Sequence, residues 1–145
     1  MNMTAQVTAS SNILYVLADG EFTIDDARRV FVEVVDAVIA NQSEKIVFDG
    51  RSISGDPEII ERFFYGEFTA ISVKRPLEEG AIVTPPRFAY ILLPPVLDLE
   101  RLGQTVAVNQ GLHVKSFDNL TEGIAWLGLV PKDLEGLAAG GTPDD

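Results

Sequence analysis

The chain has no cysteine. Disulfides, thiolate metal sites and a cysteine nucleophile are therefore excluded. Basic charge is scarce: 11 Lys and Arg stand against 22 Asp and Glu, a formal net charge of −11. Such a field repels phosphate backbones and anionic membrane surfaces, so no nucleic-acid partner is expected. Histidine occurs once, at His113, without the neighbours a metal site needs. No His-Glu-x-x-His, calcium-loop, phosphate-loop or dinucleotide glycine pattern occurs, so no cofactor is expected. Long hydrophobic runs are also missing. The densest, Phe88 to Leu93, stops at Pro94-Pro95, well short of the ~20 residues a membrane span needs. The first residues, Met1 to Gln6, have neither a basic region nor an apolar one, so a cytoplasmic location is expected.

What is present is ordinary globular composition: 145 residues, 46% apolar and 23% charged. That length and balance fit one domain with a real core. We read the domain as residues 1–130, with 131–145 as a flexible, small-residue, acidic tail. Thr4 to Thr8 alternates as a weak edge strand, and Asn12 to Ala18 reads as a buried strand ending at Asp19-Gly20. Thr23 caps a helix whose apolar positions are Ala27, Val30, Phe31, Val34, Val35 and Val38, ending near Asn41. Lys45 to Asp49 is the next strand. Asp56 as N-cap and Pro57 at the first helical position open a second helix, with Ile59, Ile60, Phe63, Phe64 and Phe68 expected inward. Val73 to Arg87, containing Pro76, Gly80, Pro85 and Pro86, reads as irregular. Phe88 to Leu92 is a strand, Leu97 to Gln110 a helix closed by Gly111, and Leu112 to Phe117 the last strand. Asn119 to Leu127 is the last helix, with Asn119 and Glu122 at capping-box spacing. The order β-β-α-β-α-β-α-β-α implies an α/β layer fold: a four- to five-stranded mixed, largely parallel sheet with about four helices.

Several segments carry a resemblance. They are Lys45-Ile46-Val47-Phe48-Asp49, Tyr65-Gly66-Glu67-Phe68-Thr69-Ala70, Arg87-Phe88-Ala89-Tyr90-Ile91, Asn109-Gln110-Gly111 and Ile124-Ala125-Trp126-Leu127. With the element order, they make the chain resemble STAS domains, and more specifically the bacterial STAS-like, SpoIIAA-like proteins, whose fold is grouped with CRAL-TRIO domains. The resemblance implies a non-catalytic binding module with a protein partner or self-association. In phosphoswitch members a serine in an Asp-Ser-x-Gly turn before the second helix is phosphorylated by a partner kinase. The corresponding stretch here runs from Asp49 to Asp56 and offers Ser52 and Ser54, neither directly preceded by an acidic residue.

The residues themselves leave several uses open. Asp49 to Asp56 follows a parallel strand and precedes a helix, where ligands of open α/β sheets bind. Free amides there, with Arg51, would hold an anion or a phosphoserine. The same stretch also reads as a polar connection in which Asp56 caps and Gly50 and Gly55 turn the chain. Gly50-Arg51-Ser52-Ile53-Ser54 approaches a nucleophile elbow, with Asp98 and His113 following in hydrolase order, although Ser54 stands where glycine is required. Phe63, Phe64, Tyr65 and Phe68 wrap a wider arc than one core stripe. Phe63, Phe64 and Phe68 thus define either ordinary core or a pocket for a small apolar, lipid-like ligand beneath the 73–87 stretch. Gly66 among them suggests close backbone packing or a bend. Lys74, Arg75 and Arg87 are the one basic cluster, for an acidic partner, a phosphate head group or the chain's own Glu78 and Glu79.

Overall fold

A computed structural model describes residues 2–137. Five strands form one sheet in the order β1-β2-β3-β4-β5. They are β1 (Thr4–Ser10), β2 (Ile13–Glu21), β3 (Lys45–Ser54), β4 (Arg87–Ile91) and β5 (His113–Phe117). β1 is antiparallel to β2, and every later pairing is parallel. The helices are α1 (Ile24–Asn41), α2 (Ile59–Glu79), α3 (Leu102–Asn109) and α4 (Leu120–Trp126), followed by a 3-10 turn at Pro131–Leu134. This is the α/β order expected from the sequence.

Because each parallel strand is added beside the last, right-handed crossovers place α1, α2 and α3 on the same face. Alternation along the strands builds two cores. Leu14, Val16, Ile46, Phe48, Phe88 and Tyr90 meet Val30, Phe31 and Val34 of α1 and the buried positions of α2 and α3. Ile13, Tyr15, Val47, Ala89 and Ile91 point the other way, onto Leu120 and Ile124 of α4. α1 is as expected, with Thr23 Oγ1 accepting the Asp26 amide at 3.1 Å, and Asn119 caps α4 through the Glu122 amide at 2.9 Å.

Several boundaries differ. β3 continues through the expected turn to Ser54, because β2 also continues: after a bulge between Leu17 and Asp19, Asp19, Gly20 and Glu21 pair with Ser52, Ile53 and Ser54. α2 runs through the stretch read as irregular. Pro76 lies in its last turn, where the bond its amide would give to the Ser72 carbonyl is missing and only three further helical residues follow, and Gly80 closes it at φ +83. α3 starts at Leu102 rather than Leu97, since Asp98 organises a turn by accepting the amides of Glu100 (3.0 Å) and Leu102 (2.8 Å). The tail expected from 131 is packed as far as it is described: Leu134 and Leu137 are buried against α4's core. Residues 138–145 lie outside the described residues. Among the described residues no helix is long and apolar enough to cross a membrane.

Candidate functional site

The carboxyl ends of the parallel strands gather the polar chemistry. Asp49 is 3% exposed. Its Oδ2 accepts the Tyr15 hydroxyl at 2.7 Å and Arg51 Nη2 at 2.8 Å. Its Oδ1 accepts Arg51 Nε at 3.0 Å and the Arg51 amide at 3.2 Å. Burial alone raises a carboxyl pKa, but here the bonds from Arg51 and Tyr15 outweigh it and hold Asp49 below the usual range. Burial, reinforced by Asp49, pushes the Tyr15 phenol well up, so it stays a donor. This network anchors the middle of β3 and commits the Arg51 guanidinium to Asp49.

The remaining residues of the expected turn are not where the sequence reading put them. Ser52 and Ser54 stand exposed on a strand, opposite Asp19 and Glu21. A phosphate on either would face like charge across the ladder. Asp56 does not cap α2. Glu58 does, with its amide donated to Glu61 Oε1 at 2.8 Å, while exposed Asp56 pairs with Arg62 at 3.5 Å.

α2 reverses the expected facing. Its buried positions are Gly66, Thr69, Ala70 and Val73. The large residues expected inward are out: Ile59 is 75% exposed, Ile60 54%, Phe63 39% and Phe64 42%. Only Phe68 packs inward, edge-on to Phe31 at 6.5 Å with the Arg28 guanidinium over its ring. The reason is helix spacing. Gly66 sits directly against the Gly103 backbone, so α2 and α3 touch main chain to main chain and leave no room for aromatic rings. The close packing suggested by Gly66 is what the structure shows.

Where small residues converge, a pocket of about 110 Å³ opens between the sheet and the three helices. Phe48, Ile53, Tyr65, Tyr90, Ala107 and Val114 form its walls. Neither Phe63, Phe64 nor Phe68 contributes, so the apolar pocket placed at those residues is displaced to the opposite side of α2. At the rim, Arg62 donates to the carbonyls of Pro95 and Val96, both at 2.8 Å, and Arg101 to those of Ser116 and Leu99. The sequence reading missed Tyr65, Tyr90 and the rim. The signal was there as small or short residues at 66, 69, 70 and 73, helical spacing for a buried stripe that the neighbouring aromatics obscured.

The hydrolase constellation is not assembled. His113 begins β5, level with Arg87 and Lys45, whereas Ser52 lies seven residues further along β3. At about 3.3 Å per residue that separates them by roughly 20 Å. The basic cluster is also divided. Lys74 and Arg75 are exposed on α2, while Arg87 lies at 4.5 Å over the Trp126 ring, on the α4 side of the sheet, and donates to the Trp126 carbonyl.

No protein-family model matches the chain, and no curated protein matches it in sequence. Among solved structures it is similar to an anti-sigma factor antagonist from Mycobacterium paratuberculosis, with TM-score 0.53 and 12% identity, over 88% of this chain and 96% of that one. An uncharacterised protein of the DUF3478 family with a SpoIIAA-like fold, from Shewanella loihica, aligns with TM-score 0.46 and 15% identity, over 87% of this chain and 94% of that one. The fold is thus shared with the anti-sigma factor antagonist, in keeping with the α/β order expected from the sequence.

Proposed function

We propose that this chain is a non-catalytic regulatory module that works by binding another protein through the exposed face of α2. The observation that carries this reading is the stripe of Ile59, Ile60, Phe63, Phe64 and Ile71, large apolar side chains left in solvent while the same helix buries small ones. Exposed large apolar side chains grouped in this way mark an interaction site, and aromatic residues are enriched at interface centres. The fold shared with a protein described as an anti-sigma factor antagonist supports regulation over catalysis, by analogy. Asp56, Glu58 and Glu61 surround the stripe's first turn and Glu67 interrupts it. With a net charge of −11, the chain suits a partner whose apolar groove is rimmed by Lys and Arg.

The test is a comparison of the wild type with the double variant Phe63→Asp/Phe64→Asp, both immobilised and exposed to lysate of the source cells. Both rings are about two-fifths exposed, so the variant is expected to fold at a modest cost in stability, which circular dichroism checks first. At least one basic-surfaced protein retained by the wild type is expected to fall about tenfold or more on the variant, and to be released by salt. Identical captured sets would overturn the reading.

A further inference from the structure

The pocket under α2 and α3 carries a second, independent reading. Its walls are apolar, and its charged rim groups are already committed: both arginines to backbone carbonyls, Asp98 to backbone amides. A charged ligand would have to break those bonds. Besides Thr69, Gln104 and Ser116, the polar groups lining it include the hydroxyls of Tyr65 and Tyr90, 2.7 Å apart. Two hydroxyls hold two protons, and their mutual bond uses one. Among the described residues no acceptor takes the second. Tyr90 is only 6% exposed and Tyr65 is half-buried, so whichever hydroxyl keeps the spare proton is a largely buried donor without a protein partner, a costly arrangement unless something else accepts it. Burial raises both phenol pKa values, so the pair does not ionise and remains a donor.

We propose that this pocket binds a small, neutral, largely apolar molecule about the size of one six-membered ring, whose single carbonyl or ether oxygen accepts the free proton of the Tyr65–Tyr90 pair. Size follows from volume: about 110 Å³, open on one side, compares with the ~150 Å³ apolar cavity that takes benzene. A long acyl chain does not fit. Position agrees as well, because the pocket lies at the carboxyl ends of β3, β4 and β5, where open parallel sheets bind ligands.

The test uses the full chain and two probes of matching shape, cyclohexanone and methylenecyclohexane, which differ by oxygen against methylene. Methyl NMR titration of the wild type with cyclohexanone should move Ala27, Ile53, Ala107 and Val114, all of which line the pocket. In the double variant Tyr65→Phe/Tyr90→Phe, cyclohexanone should bind about fivefold more weakly, the worth of one hydrogen bond, while methylenecyclohexane is unaffected. Removing both hydroxyls together leaves no orphan, so the double variant is the one expected to fold. Shifts that saturate elsewhere on the wild type, or none, overturn the proposal without recourse to the variant. So does an unchanged ketone affinity, or an equal loss for both probes.

Discussion

Replacing Asp49 with alanine is expected to cost about 3 kcal/mol of stability. The carboxylate is almost wholly buried and accepts four hydrogen bonds from two residues. Its removal strands the Tyr15 hydroxyl in a core where Tyr15 is 2% exposed, and takes three bonds from Arg51, whose side chain is 24% exposed. Tyr15→Phe removes only a donor and should cost about 1 kcal/mol. The effect carries a pH signature. Asp49 titrates below its ordinary value of 3.8 when folded, so its contribution is fully present above that pH and is lost as pH falls through the lower folded value. Urea unfolding of wild type and Asp49→Ala at neutral pH and at about pH 2 should therefore show the gap narrowing in acid. Asp26 and Asp98, also held low by hydrogen bonds from backbone amides, leave both proteins with a residual acid slope. A neutral-pH difference below about 1 kcal/mol would mean that the network does not anchor β3 as described.

Gly66→Ala should be the second severe change, against what helix propensity alone forecasts. Alanine in mid-helix gains about 1 kcal/mol over glycine. Here its Cβ would overlap the Gly103 carbonyl oxygen and lie 3.1 Å from that carbonyl carbon. The obstacle is backbone, which has no rotamer to yield, so α2 and α3 must separate. A net loss of about 2 kcal/mol follows, lowering Tm by roughly 4–8 °C. Gly103→Ala makes an informative contrast. Its Cβ would approach the Arg62 carbonyl oxygen at 3.2 Å, tight but short of overlap, and the cost should be smaller. Equal costs, or stabilisation by Gly66→Ala, would contradict the main-chain contact.

Much of the architecture was legible because it rests on local patterns. The α1 stripe from Ala27 to Val38, the caps at Thr23 and Asn119, and the alternation of β2 all follow from short-range chemistry. The site was less legible because its facts are long-range. Nothing local to Gly50–Ser54 says that β2 extends beside it and turns an apparent loop into strand. Nothing local to α2 says that α3 will approach at Gly103 and reverse which side of the helix accepts rings. Two patterns compete on α2, aromatics at 63, 64 and 68 and small residues at 66, 69, 70 and 73. Bulk favours the first, and the helix contact selects the second. The pocket follows from the same reversal, since it is lined where the rings are not.

Binding through α2 requires that its apolar stripe meet another protein. A photo-crosslinking residue at position 60, in the first turn of α2 within that stripe, tests it in living cells against a control at exposed Glu122, on the α4 side of the sheet. An adduct with a different polypeptide is expected at position 60 and none at 122. Adducts only at 122, an adduct at 60 with a second copy of this acidic chain, or no adduct at 60 at all would contradict it.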